Sequence, residues 1–136
     1  VASTYNSNIT GRLLDGALRT LTEAGYAGRL RVVRVPGAWE LPLAARRLAE
    51  QPDVCGVVTL GAVIRGETTH DQHINRAVSQ ALMQLMMDTG KPIGFGLLTC
   101  NTLEQAIHRA GGNVGNKGCE TAEAVLAMLS LEITQA

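Results

Sequence analysis

Aromatic side chains are scarce in this chain: beside its histidines it has 1 Trp, 2 Tyr and 1 Phe in 136 residues. Its core is therefore aliphatic, and an aromatic outside an apolar run calls for another explanation. Charge is sparse and balanced. The 12 basic and 12 acidic residues cancel, which argues against a nucleic-acid surface or a membrane-binding tail. Charged residues amount to 18% and hydrophobic ones to 46%, against about 25% charged in ordinary soluble domains. That balance points to surface buried against copies of the same chain, or else to a chain simply rich in Ala and Gly. Cys55, Cys100 and Cys119 are odd in number and lack C-x-x-C spacing, so they read as reduced, cytosolic and mostly core, with neither a disulfide framework nor a zinc site. The apolar runs fall short of the roughly 18 residues of a membrane span, and no signal peptide opens the chain. A G-x-G-x-x-G after a strand is absent, and Asn113-Val114-Gly115-Asn116-Lys117-Gly118 lacks the Gly-Lys-Ser/Thr of a P-loop. Dinucleotide binding and nucleotide hydrolysis therefore have no motif.

What is present is an alternation of strand and helix signals. Val1 to Thr4 predicts a short first strand, followed by a turn at Tyr5-Asn6-Ser7-Asn8 and a helix capped by Thr10 that ends near Gly25. Leu30 to Val35 predicts a second strand, with Arg31 and Arg34 suggesting an edge position. A helix follows with Pro42 in its first turn, closed off by Pro52. Val54 to Leu60 predicts a third strand and Asp71 to Asp88 a long helix ending at Gly90. Ile93 to Thr99 predicts the fourth strand, Thr102-Leu103-Glu104-Gln105 a capping box opening a helix to about Ala110, and Gly111, Gly112 and Gly115 a flexible loop. Asn116 caps the last helix, whose inner face carries Cys119, Ala122, Val125, Leu126 and Leu129. The pattern predicts one domain over residues 1–136, an open α/β sandwich with a parallel sheet, which binds ligands beyond the carboxyl ends of its strands.

Those ends carry the chemistry. Gly61-Ala62-Val63-Ile64-Arg65-Gly66-Glu67-Thr68-Thr69-His70 reads as a strand-to-helix crossover in which Gly61 and Gly66 permit a tight turn. The helix start offers amides to an anion, Thr68 and Thr69 add hydroxyls, and His70 exchanges protons near neutral pH. An ordinary βα turn with a surface or capping histidine gives the same pattern. Tyr5 and Trp39 stand at the rim as stacking surfaces for a flat heterocycle, or else fill the core. Glu40, beside Trp39, accepts hydrogen bonds from a ligand or simply favours a helix start. His70 and His73 share a helical face without a third ligand of suitable spacing, so no metal is expected. Arg109 and Lys117 are cations beside a glycine loop, suited to phosphate or to surface ion pairs.

Taken together, Pro36-Gly37-Ala38-Trp39-Glu40-Leu41-Pro42, Gly61 to His70, Phe95-Gly96-Leu97-Leu98-Thr99, Gln105 to Gly111 and Asn116-Lys117-Gly118 resemble the 6,7-dimethyl-8-ribityllumazine synthase family over nearly the whole chain. The fold implied is a three-layer α/β/α sandwich with a parallel, flavodoxin-like four-stranded sheet. The reaction implied is condensation of 5-amino-6-ribitylaminouracil with 3,4-dihydroxy-2-butanone 4-phosphate, the penultimate step of riboflavin biosynthesis, run in the cytoplasm without a cofactor. By motif position Tyr5 stacks on the pyrimidine, where the family usually has Phe or Trp. Ala38, Trp39, Glu40 and the backbone of Ala62, Val63 and Ile64 bind the pyrimidine and ribityl chain. Glu67 and Thr68 hold the phosphate together with Arg109, Lys117 is a further candidate for it, and His70 moves protons. The resemblance implies that a neighbouring subunit supplies Phe95 and Arg109 in a homopentamer, that some members close into icosahedral shells, and that riboflavin synthase is a candidate partner; nucleic acid and membrane are not. The chain departs from the family after the histidine, with Asp71-Gln72-His73 where an aromatic, an acid and a second aromatic are common, and Asp71 is a candidate to orient His70. A non-catalytic flavin- or lumazine-binding homologue and a shell-forming one are the competing readings.

Overall fold

The computed structural model describes residues 1–136. Its elements are β1 (Ala2–Ser3), α1 (Ser7–Leu21), β2 (Arg34–Val35), α2 (Leu41–Ala49), β3 (Val57–Ile64), α3 (His70–Thr89), β4 (Ile93–Cys100), α4 (Leu103–Arg109), β5 (Ala110–Gly112), β6 (Gly115–Asn116) and α5 (Lys117–Leu129). The strands β2-β1-β3-β4 form one sheet in that order, and every pairing in it is parallel. No helix is long and apolar enough to cross a membrane.

The period of two along the central strands creates the layers. Leu60 and Ala62 of β3 join Leu98 and Cys100 of β4 in a cluster with Ile9, Leu13 and Ala17 of α1 and Ala122 of α5. The alternate residues, Val57 of β3 and Ile93 and Leu97 of β4, pack with Leu41 and Ala45 of α2 and Val78 and Leu82 of α3. The sheet thus lies between α1/α5 and α2/α3, the expected three-layer sandwich. Its aliphatic core contains none of the four aromatic rings.

Several local expectations are corrected. The third strand runs from Val57 to Ile64, not from Val54 to Leu60, so Gly61 is a strand residue and not a turn. Its role is packing, because a Cβ there would lie 2.8 Å from Leu97 Cδ1 and 3.2 Å from both Leu41 Cδ1 and Ser3 Oγ. Thr10 does not cap α1: the helix starts at Ser7 behind Asn6, and Thr10 is buried on its inner face. Of Leu30 to Val35 only Arg34–Val35 is laddered, at the sheet edge as its arginines suggest. Gly111, Gly112 and Gly115 do not form a loose loop. They belong to the antiparallel hairpin β5–β6, in which Gly111 at φ 103° and Gly115 at φ 112° adopt angles that side chains disfavour. Of the three free cysteines only Cys100 is buried; Cys55 is exposed and Cys119 half-buried.

The capping predictions fare better. Thr102 Oγ1 accepts from the Gln105 amide at 3.2 Å and opens α4. Asn116 Oδ1 accepts from the amides of Gly118 at 2.8 Å and Cys119 at 3.1 Å, while its Nδ2 donates to the Arg12 carbonyl at 3.1 Å. One side chain thereby caps α5 and ties it to α1. The two helices touch backbone to side-chain-free backbone, since a Cβ on Gly118 would fall 1.9 Å from the Leu13 carbonyl oxygen. Gly118→Ala, which would gain roughly 1 kcal/mol in a free helix, is therefore expected to lose about 2 kcal/mol or more through overpacking. Urea denaturation with a fluorescent or circular-dichroism readout checks this; a stabilised variant would mean that α1 and α5 can separate at no cost.

Candidate active site

The carboxyl edge is assembled by three short connections. After β1 the chain turns through Asn6 in the left-handed region, φ 59°, the only non-glycine residue with positive φ. Asparagine tolerates this conformation better than most residues. Its Nδ2 donates to the Ala62 carbonyl at 3.1 Å, and the neighbouring Tyr5 amide donates to the Pro36 carbonyl at 3.0 Å. The ends of β1, β2 and β3 are thus joined around Tyr5, whose ring points outward and is 72% exposed.

Trp39 is presented in a similar way. Residues Ala38–Glu40 form a single 3-10 turn that leads directly into α2. Ala38 and Leu41 are buried, leaving the indole 62% exposed. Glu40 Oε2 accepts from the Gly37 amide at 2.9 Å, so the carboxylate first of all stabilises the turn that displays the ring. Ala62, Val63 and Ile64 end β3. The alternation of the ladder directs the Ile64 amide and carbonyl toward β1, from which the chain has already turned away into α1.

Residues Gly66 to Thr69 are exposed, and His70 begins α3, itself exposed. The helix start is only partly open to an anion. The His70 amide donates to Thr68 Oγ1 at 3.3 Å, and the Gln72 and His73 amides donate to the Thr69 carbonyl at 3.1 and 3.2 Å. The Asp71 amide is left free. The Asp71 side chain does not orient His70: it turns inward, is 8% exposed, and its Oδ1 has no hydrogen-bond partner.

Phe95, Thr99, Arg109 and Lys117 line a second feature, a groove of about 400 Å3 along the open edge of β4. Capping at Thr102 sets α4 and hence Arg109, and the hairpin then delivers Lys117 to the start of α5. The Cys100 thiol lies beside Arg109; burial pushes its pKa up, and the guanidinium partly offsets the rise.

The candidate residues therefore fall into two groups that one chain does not bring together. β4 is separated from β1 by β3, two strand spacings or roughly 10 Å. Phe95 pairs with Thr59, five positions before Ile64, or roughly 16 Å back along the strand. Phe95 therefore cannot touch a ring stacked on Tyr5. A cavity of about 530 Å3 lies at the other end of the sheet and includes none of the candidate residues. Two of its charged residues, Arg31 and Asp53, are paired with each other, and Arg29 stacks on Tyr26.

A parallel sheet in this order, with two exposed aromatic rings, strand-end backbone and a helix start on its carboxyl edge, defines a flavodoxin-like α/β sandwich. Within that class the family described as 6,7-dimethyl-8-ribityllumazine synthase matches residues 1–132, and the chain belongs to this family. It is 55% identical over 133 residues to the 6,7-dimethyl-8-ribityllumazine synthase of Rhodopirellula baltica, covering 97% of this chain and 86% of that protein. It is 48% identical over 130 residues to the enzyme of the same name from Syntrophus aciditrophicus, covering 95% and 84%. With the Thermus thermophilus enzyme of that name it shares 48% over 128 residues, covering 93% and 82%.

Sequence reasoning noticed Asn6 only as a turn former. The signal available was its residue type: Asn is one of the few residues that both accept positive φ and carry a donor. Asn6→Ala is expected to lose about 2 kcal/mol, combining the lost hydrogen bond with left-handed strain. Asn6→Gly, which removes only the bond, should lose about half as much. Equal losses on denaturation would mean that φ at this position is irrelevant.

Proposed function

We propose that this protein condenses 5-amino-6-ribitylaminouracil with 3,4-dihydroxy-2-butanone 4-phosphate to give 6,7-dimethyl-8-ribityllumazine, the penultimate step of riboflavin biosynthesis. The observation that carries the reading is family membership across residues 1–132, in a chain whose stacking rings, strand-end backbone and exposed imidazole share one carboxyl edge. The uracil's amine adds to the ketone and water leaves to give an imine. Phosphate is eliminated, and the second amine closes the ring with loss of another water. Two waters and one phosphate are released, and no electrons are exchanged with a cofactor.

Each residue has a role suited to its placement. Tyr5 and Trp39, both outward-facing, stack on or enclose the pyrimidine. Ala38, Glu40 and the backbone of Ala62, Val63 and Ile64 take up the polar edge of the ring and the ribityl hydroxyls. Glu67 contributes to phosphate binding through its backbone amide, because its carboxylate would repel the anion, and Thr68 contributes its hydroxyl. His70 is the proton carrier, an exposed imidazole at the first position of α3, and such a group typically contributes about 10² to 10⁴ in rate. Holding two substrates in register contributes about 7 to 11 kcal/mol, so positioning outweighs proton transfer.

The groove holding Phe95, Arg109 and Lys117 completes the site from a neighbouring copy. The separation across the sheet supports this arrangement, as does the open edge of β4. A heterologous contact of this kind closes into a ring, here a homopentamer, with a larger icosahedral shell as a further level of assembly. The protein then acts in the cytoplasm, and riboflavin synthase, which consumes the product, is the enzyme it would associate with.

Mixing the two substrates with the protein is expected to produce the fluorescence of the lumazine together with one equivalent of inorganic phosphate. Quenching of Trp39 without product would identify a binder and overturn the enzymatic reading. A second measurement addresses the shared site. Tyr5→Ala and Arg109→Ala chains, each inactive alone, should regain part of the wild-type rate when co-assembled, because some interfaces then combine two intact halves. Verified mixed assemblies with no activity would place both groups of residues within one subunit's site.

A further inference from the structure

The amino side of the sheet has an unfilled place in its middle. β1 lies between β2 and β3, but no strand separates Leu30 to Val33, which lead into β2, from Val54 to Gly56, which lead into β3. The cavity of about 530 Å3 is this space: Leu30 and Val32 line one side, Val54 and Val58 the other, with Leu18 of α1 on one face and Leu48 of α2 on the opposite one. Both helical layers therefore extend over it. Residues at the centre of a parallel sheet covered on both faces are normally buried. Here Val32 is 45% exposed, and Leu30, Val33, Val54 and Val58 are only half-buried.

The ladder defines which backbone groups face the space. The Ala2 amide donates to the Val33 carbonyl at 2.9 Å, the Val1 nitrogen to the Val58 carbonyl at 2.7 Å, and the Leu60 amide to the Val1 carbonyl at 2.8 Å. A parallel ladder repeats every two residues. The next groups in register are therefore the Val33 amide and Arg31 carbonyl on the β2 side, and the Val58 amide and Gly56 carbonyl on the β3 side.

We propose that this space is a strand site, filled by an extended apolar segment that runs in line with β1 and joins it at Val1. A rise of about 3.3 Å, a strand spacing of about 4.8 Å and a layer spacing of about 10 Å give each strand residue about 160 Å3, so the space holds about three. The residue joined to Val1 pairs with the Val33 amide and the Arg31 carbonyl, and the one before it with the Val58 amide and the Gly56 carbonyl. Ala2 packs on the α1/α5 side and Val1 on the α2/α3 side, so the two side chains alternate in the same way. Both are apolar because both faces are covered, and neither is proline because each amide has an acceptor waiting. The segment lengthens β1, which is two residues long, and braces the strand that carries Tyr5 and Asn6 at its far end.

One other stretch borders the space. Leu131 to Ala136 follow α5, whose Leu129 lines the cavity, and Leu131 and Ile133 are 63% and 97% exposed. This tail fits less well: its alternate residues, Glu132 and Thr134, would be buried among apolar side chains without partners.

The experiment compares residues 1–136 with the same chain carrying Val-Ile-Val, Ser-Gly-Ser or Val-Pro-Val ahead of Val1, and with a chain ended at Ser130. Hydrogen exchange of peptides containing Val33 and Val58 is followed by mass spectrometry, and the open cavity by binding of an apolar fluorescent dye. Val-Ile-Val should slow exchange at both positions about tenfold, the scale of one net hydrogen bond, and abolish dye binding. Ser-Gly-Ser should change neither, and Val-Pro-Val should leave Val58 unprotected. Unchanged exchange with Val-Ile-Val, or equal slowing by Ser-Gly-Ser, would overturn the strand site. Equal protection by a separate Val-Ile-Val peptide at equimolar concentration would overturn the joined arrangement. Val33 and Val58 protected in residues 1–136 but exchanging freely in the chain ended at Ser130 would assign the space to the tail and overturn the proposal as well.

Discussion

The position of α5 depends on the absence of side chains beneath it. A Cβ on Gly94 would lie 2.7 Å from Thr121 Cγ2, and one on Gly96 would lie 2.9 Å from Thr121 Oγ1 and 2.5 Å from the Thr59 carbonyl oxygen. Gly118 allows the same close approach to α1. The helix therefore lies directly on β4 and against α1, with its Thr121 hydroxyl turned back to the Lys117 carbonyl at 2.6 Å. This contact shapes the groove beside β4. Between the two glycines Phe95 is left standing on the outer side of the strand, and the start of α5 brings Lys117 to the groove that Arg109 also lines. Any bulk under α5 would shift Lys117 and the groove it lines as a unit.

The opposite half of the site is held by hydrogen bonds and not by close packing. Asn6 joins β1 to β3, Tyr5 and Thr4 join β1 to Pro36, and Glu40 stabilises its own turn. These are partly solvated contacts, each a modest contribution of about 1 kcal/mol, yet together they fix where two aromatic rings face. The difference would suit the proposed roles: a flat ring can be received by surfaces that adjust slightly, whereas a phosphate anchor needs a cation and amides on a rigid frame.

Much of the fold is legible in the sequence because strands and helices alternate with distinct periods. Val57 to Ile64 and Ile93 to Cys100 are almost purely apolar, as strands covered on both faces must be. Legibility fails where tertiary packing decides. Gly61 has the residue type of a turn, but the meeting of Leu41, Leu97 and Ser3 makes it a strand position. Thr10 has the residue type of a cap, but it lies on the buried face of a helix that Asn6 begins through an unusual backbone angle. With so few aromatics, Tyr5 and Trp39 stand out at strand ends, and both lie outside the core.

The open edge of β4 carries a liability unrelated to catalysis. Ile93 to Cys100 contains no proline and no charged residue, and one side of its backbone has no strand beside it. Natural sheets usually guard such an edge with lysines, prolines or bulges, because an unguarded one invites foreign strands and seeds aggregates. Here Phe95 adds an exposed ring to the same edge. The protection must come from what covers the edge, so a copy of the chain that binds there would preserve solubility as well as supply chemistry, and chains kept apart at high concentration would be the ones most prone to precipitate.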